Sequence, residues 1–233
     1  MKPWKTLSQA PGLEGQLLML QERDGVFVIR SGGRELMSSA RFHSEQAMAQ
    51  VALKRVKAKS PVVLIGGLGL GFTLRATLDL LPAQGTAVVA EISPEVVEWN
   101  RGPLAHLANA PLADLRTRVE ISDVAKVAAL SPRRFDAVLL DVDLGPSALS
   151  TRDNRKLYEE PGIASLRASL RPGGVLVVWS AGPDAPFLAR LKRAGFDATM
   201  ERSPARLGNG AAHVLFIAAL ATSGKRPSSR SDV

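Results

Sequence analysis

The chain of 233 residues carries 30 lysines and arginines against 22 acidic residues, a net charge of +8, and contains no cysteine. That composition excludes disulfides and thiolate metal sites, and the only histidines, His43, His106 and His213, form no H-x-x-x-H pair, which argues against zinc. No apolar run reaches membrane-spanning length and Met1-Lys2-Pro3-Trp4 does not open a signal peptide, so a cytoplasmic protein without membrane contact is expected.

In chain order, Gln16–Leu20, Val26–Arg30 and Glu35–Ser38 are short runs separated by Arg23-Asp24-Gly25 and Ser31-Gly32-Gly33. They predict a small antiparallel meander within residues 1–42. The stretch 44–57 reads as a helix, with Ala47, Val51 and Val56 near helical spacing and Ser44 as N-cap. From Pro61 the pattern alternates: strands at 62–66, 86–91, 117–121, 135–141 and 174–180, helices at 72–81, 94–101, 124–130, 157–170 and 184–194. Segments 196–202 and 212–219 add a final antiparallel pair. This alternation predicts an α/β fold, a doubly wound, mostly parallel seven-stranded Rossmann-like sheet spanning residues 43–221. Residues 222–233 form a polar, basic tail without apolar anchors, which is expected to be disordered.

The run Val62-Val63-Leu64-Ile65 passes into Gly66-Gly67-Leu68-Gly69-Leu70-Gly71-Phe72. A phosphate-binding P-loop needs Lys where Phe72 stands, and the dinucleotide fingerprint needs its third Gly there. The spacing present, Gly67-x-Gly69-x-Gly71, is that of S-adenosylmethionine-type class I folds. A tight turn without ligand is the alternative.

Glu91, about twenty residues further on at the end of the next strand, can accept hydrogen bonds from a ribose diol, or cap the helix after Ser93-Pro94. Asp123 follows the third strand, where it can accept from an adenine amino group or cap the next helix. Asp141 and Asp143 end the fourth strand, two residues apart on extended backbone and so on one face. They can hold a cationic amine, supply a general base, or serve only the turn at Gly145-Pro146. Trp179 and Ser180 end the fifth strand, where they line a pocket or close the core. The basic residues are scattered and no aromatics interleave with them, which speaks against nucleic acid.

The line Gly66-Gly67…Gly71, Glu91-Ile92-Ser93-Pro94, Asp141…Gly145-Pro146, Leu157-Tyr158 and Leu170-Arg171-Pro172-Gly173-Gly174, with Arg41-Phe42-His43-Ser44-Glu45 upstream, resembles the spermidine synthase (polyamine aminopropyltransferase) family. That resemblance implies an aminopropyl transfer from decarboxylated S-adenosylmethionine to a small amine, without a metal, by a homodimer. It gives Glu91 the ribose, Asp123 the adenine, Asp141 the role of base on the attacking amine, and Tyr158 and Trp179 places near the acceptor. Methyl transfer from S-adenosylmethionine and a non-catalytic nucleoside-binding module are the alternatives. The chain departs from the family where Leu68-Gly69-Leu70 replaces a loop carboxylate that holds the donor amine, in a shortened Asp141-to-Pro146 loop, and in having Tyr158 as its single tyrosine.

Overall fold

A computed structural model describes residues 2–12, 15–142, 145–146, 155–204 and 212–221. Four strands, β1 (Lys5–Pro11), β2 (Leu17–Arg23), β3 (Val26–Ser31) and β4 (Arg34–Ser38), form an antiparallel sheet in sequential order. The strand at Lys5–Pro11 has no counterpart in the sequence reading. Only Ala10 of it is buried, so it carries no alternating apolar signature.

Helix α1 spans His43–Leu53, one residue earlier at its start and four shorter at its end than the periodicity suggests. Ser44 is not its cap. Phe42 occupies that position without a side-chain bond, and the Ser44 hydroxyl instead donates to Glu45 Oε2 at 2.6 Å.

The main sheet comprises β5 (Val62–Gly66), β6 (Thr86–Glu91), β7 (Thr117–Ile121), β8 (Phe135–Leu140), β9 (Leu170–Ser180), β10 (Asp197–Pro204) and β11 (Ala212–Ala219). Its order is β10-β11-β9-β8-β5-β6-β7, with β11 antiparallel to both neighbours and the other pairs parallel. Strand order reverses between β5 and β8, the place where such sheets receive ligands.

The connecting helices are α2 (Phe72–Leu80), α3 (Pro94–Arg101), α4 (Val124–Ala129), α5 (Glu160–Ser169) and α6 (Ala185–Arg193). The helix expected over 157–170 is split. A 3-10 turn at Lys156–Tyr158 precedes α5, and Pro161 stands in the first turn of α5, where a missing N–H costs nothing.

Both faces of the sheet are buried, which explains the unbroken apolar runs of its strands. Alternate residues feed two cores. Val63, Ile65, Leu139 and Val177 pack with α1, α2 and α3. Leu64, Leu140, Val178 and Phe216 pack with α4, α5 and α6. Ala10, Leu20 and Ile29 of the N-terminal sheet belong to the first of these cores, so that sheet covers the α1–α3 layer. Among the described residues, no helix is long and apolar enough to cross a membrane. The tail expected at 222–233 lies outside the described residues.

Candidate functional site

The Gly loop leaves the end of β5 beside β6 and β8. Gly67, Gly69 and Gly71 all adopt positive φ, the last capping α2. Gly66 does not. It makes room instead, since a Cβ there would stand 2.9 Å from both Leu140 and Val124. At Gly69 a Cβ would lie 2.8 Å from Met37 Sδ, so β4 reaches over the loop.

The loop's own polar groups are heavily engaged. The Gly67 N–H donates to the Ala90 carbonyl and that of Gly71 to Leu68, each at 2.9 Å. Asn100, a residue the sequence reading did not single out, is 1% exposed. Its Nδ2 donates to the carbonyls of Gly69, at 2.8 Å, and Val96, at 2.9 Å, tying α3 to the loop.

Glu91 sits at the end of β6, 7% exposed. One carboxylate oxygen accepts from the Leu68 N–H and the other from the Ser93 N–H, both at 2.9 Å. Burial raises its proton affinity, against the pull of these backbone amides. The amides of Ile92 and Gly69 also act on the carboxylate, which as an ion carries about four acceptor sites in all. The α3 cap role falls to Ser93, whose Oγ accepts from the Val96 N–H. Asp123 caps α4 through Oδ1, which accepts from Ala125 at 2.8 Å. Its exposed position leaves Oδ2 for another donor.

Asp141 follows β8 directly. Its N–H donates to the Gly66 carbonyl at 3.0 Å, and its own carbonyl stands 2.6 Å from where a Gly67 Cβ would be. Its Oδ2 accepts from Thr73 Oγ at 2.7 Å. Burial raises its proton affinity, and the Thr73 hydroxyl opposes the shift. Facing it from α1 is Glu45, whose pKa is pushed up to about 7 by burial first and by the charge of Asp141 second. The Ser44 hydroxyl, the backbone and Arg41 work against that rise.

Ser44 Oγ also lies 2.9 Å from His213 Nδ1 at the start of β11. Burial, then Arg41, lowers the His213 pKa. Trp179 stands edge-on to the His213 ring at 4.6 Å, while Phe42 and Phe72 stack at 4.5 Å. A constellation of Glu45, Ser44, Thr73, Asp141, Trp179 and His213 thus gathers beside the Gly loop. Sequence reading supplied Asp141 and Trp179. Thr73 stands on α2 just after the Gly loop, while Glu45, Ser44 and His213 are joined to it by the docking of α1 and β11.

Tyr158 roots its ring in the core and reaches the segment after Asp141 with its hydroxyl, which donates to the Val142 carbonyl at 3.5 Å. Its ring lies in the other core, 2% exposed, T-shaped against Phe187 at 5.6 Å. Asp143 lies outside the described residues. Among the described residues, no group of three or more potential metal ligands is gathered.

A family model, the spermine/spermidine synthase domain, matches residues 41–190, which include the Gly loop, Glu91, Asp123, Asp141 and Glu45. The chain belongs to the spermine/spermidine synthase family. Its relatives include a polyamine aminopropyltransferase of Saccharolobus islandicus, 26% identical over 141 residues, which are 60% of this chain and 45% of that one. Putrescine N-methyltransferase 2 of Nicotiana attenuata is 30% identical over 138 residues, 58% of this chain and 34% of that one. The chain therefore spans less than half the length of these relatives. Among solved structures, the spermidine synthase of Thermotoga maritima superposes with a TM-score of 0.74 at 19% identity, covering 92% of this chain and 72% of that one. A spermidine synthase in complex with the transition-state analogue AdoDATO superposes equally well, at 18% identity. These likenesses establish the spermidine synthase fold, a methyltransferase-like sheet with an N-terminal antiparallel sheet.

Proposed function

We propose that this chain is a transferase of the spermidine synthase type, moving an aminopropyl group from decarboxylated S-adenosylmethionine to a small amine. The observation that carries the reading is the seam between Asp141 and the Gly loop: a carboxylate of raised proton affinity sits against the turn that would hold the nucleoside. An ammonium has no lone pair for attack, so a base beside the donor is what the chemistry needs. Asp141 takes that proton, and the positive sulfur of the donor supplies the leaving group. Glu91 accepts from the ribose hydroxyls, Asp123 from the adenine amino group, and Gly67, Gly69 and Gly71 shape the turn. Trp179 borders the acceptor. Tyr158, whose hydroxyl donates to the Val142 carbonyl, braces the segment that follows Asp141 on the acceptor side. Asp143, two residues on in the sequence, is proposed as the second carboxylate of the pair that holds the cationic amine or serves as base.

Methyl transfer from S-adenosylmethionine is the second reading, favoured by two observations. Leu68-Gly69-Leu70 offers no carboxylate for an aminopropyl amine, and a relative named for methylating putrescine aligns over this region. The test is calorimetric titration with both forms of the donor, followed by product analysis with a panel of mono- and diamines. Tighter binding and turnover of the decarboxylated donor support aminopropyl transfer. Preference for the carboxylated donor, with methylated product, replaces it by methyl transfer. A cytoplasmic homodimer accompanies the leading reading, and a monomer in sedimentation equilibrium would remove the dimer from it.

A further inference from the structure

The parallel strands carry the Gly loop and Asp141 at their carboxyl ends. At the opposite end, where the chain enters β5, β8 and β9, the fold gathers positive charge. Val63 lies beside Ala137 in the sheet, and carrying that register back four residues sets Lys59 at the level of Arg133. The backbone N–H groups of Arg133 and Arg134 donate to the carbonyls of Ala168 and Ser169, at 2.8 and 2.9 Å, so that turn abuts the end of α5. Arg167 stands there. Its Nε lies 3.7 Å from where a Gly195 Cβ would be, which brings in Lys192 from the last turn of α6.

Lys57, Lys59, Arg133, Arg167 and Lys192 are all exposed. Among the described residues, no carboxylate pairs with any of them. Asp136, the carboxylate at this end of β8, is 12% exposed and engaged by the Val62 amide and Arg171, at 2.8 and 2.6 Å. Arg134 and Arg193 are held only loosely, by Glu120 at 3.4 Å and Glu160 at 3.6 Å. Helix ends account for Arg167 and Lys192, since a last turn favours positive charge. They do not account for the others. Lys57 and Lys59 lie between α1 and β5, and Arg133 occupies a turn at φ 51°, a backbone that glycine adopts at lower cost.

We propose that this end of the sheet binds the phosphate backbone of duplex nucleic acid, by charge and without reading sequence. β5, β8 and β9 are neighbours about 4.8 Å apart, and the α5–α6 layer adds the width of a helix, about 10 Å. The five cations thus spread over about 20 Å. A duplex offers one negative charge per about 1.7 Å of its axis, so several of them meet phosphates at once, whereas a single nucleotide is too short to do so. These cations are scattered in the sequence and come together only in the fold. The rings beside them, Phe135 and Phe196, are buried. Bases therefore have nothing to stack on, which disfavours single strands, while phosphate contact needs no ring. A duplex held here leaves the Gly loop open, and neither property depends on the other.

The test titrates a fluorescein-labelled DNA duplex of random sequence with the full chain, read by anisotropy at several salt concentrations. The wild type should bind with a Kd of about 10⁻⁴–10⁻⁶ M near physiological salt, and log Kd should rise with log salt with a slope of about 0.9 per phosphate contacted, about 3–5 in all. Lys59→Glu, Arg133→Glu and Arg167→Glu should each weaken binding about fivefold or more and lower the slope by about one. Lys5→Glu makes the same change of net charge at an exposed position of β1 and should stay within about twofold. Arg133→Gly removes the charge in a backbone that suits glycine, so it should weaken binding with the fold unharmed, and it stands in should a reversal fail to fold. Equal losses in Lys5→Glu and the three reversals would mean that net charge alone holds the duplex, and would overturn the site. Wild-type Kd above about 10⁻⁴ M would overturn it outright. Displacement of the probe by polyglutamate or by phosphatidylserine vesicles as readily as by unlabelled duplex would overturn nucleic acid as the partner. None of these outcomes bears on transfer, which the donor titration reads separately.

Discussion

Removing the carboxylate of Glu91 should damage the site before any ligand arrives. Its two oxygens accept from the buried amides of Leu68 and Ser93. Glu91→Ala orphans both donors, and leaving a buried donor unpaired costs about 1–3 kcal/mol each, so the expected loss of stability is about 2–6 kcal/mol. Glu91→Gln keeps one carbonyl oxygen but turns an NH2 group toward the other donor, giving about 1–3 kcal/mol. Urea unfolding followed by circular dichroism reads both values. Affinity for the nucleoside then falls for two reasons, loop disorder and a lost ribose contact, which a single variant cannot separate. A double-mutant cycle does. Glu91→Gln is titrated against methylthioadenosine and its 2′,3′-dideoxy analogue. If Glu91 holds the diol, most of the affinity loss disappears with the dideoxy ligand. An equal loss for both ligands would show that Glu91 only shapes the loop, and a stability change below about 0.5 kcal/mol, the level of an ordinary surface substitution, would refute the account of its bonds.

Glu45 holds a proton in the folded state between its ordinary value of 4.5 and about 7, while the unfolded chain does not. Stability is therefore lost as pH rises through that window, and Glu45→Gln should flatten the loss. At 1.36 kcal/mol per pKa unit, discounted for partial exposure, the difference between pH 5 and pH 8 is about 1–3 kcal/mol. Equal urea midpoints at the two pH values in both proteins would contradict it. Gly69→Val strains a residue at φ 53° and drives its side chain into Met37, so a loss of about 1–3 kcal/mol is expected. Met37→Ala in the same protein should recover part of it, and no recovery would mean that backbone strain alone decides. Asp141→Asn should leave donor affinity within a few-fold and cut transfer by about 10²–10⁴. Equal turnover in wild type and variant would remove Asp141 as base.

The main sheet was legible because its strands are buried on both faces and stop at turns marked by glycine, proline or a capping side chain, as at Ser93-Pro94 and Asp184. β1 was not, since an exposed edge strand needs no apolar alternation. Ser44 was misread for a definite reason: a serine before an apolar run resembles a cap until its hydroxyl is seen to serve Glu45 and His213. Asp141 could be found from its place at a strand end. Glu45 could not, because only the packing of α1 against β8 and β11 sets it before Asp141. Asn100 was hidden in the same way, as one polar residue on a helix whose partner is a distant loop carbonyl. Tyr158 drew notice as the single tyrosine, and its ring fills the core.

The bonds that tie down the Gly loop bear on how donors will be told apart. With Gly67, Leu68, Gly69 and Gly71 already engaged by Ala90, Glu91, Asn100 and one another, the turn has little freedom left to surrender. Binding there should cost little conformational entropy, so enthalpy and heat capacity should report contacts made rather than chain ordered. Two donors that share a nucleoside would then gain the same from this half of the site. Any preference between them must be written in the groups that meet their side arms, where the loop of this chain offers Leu68 and Leu70.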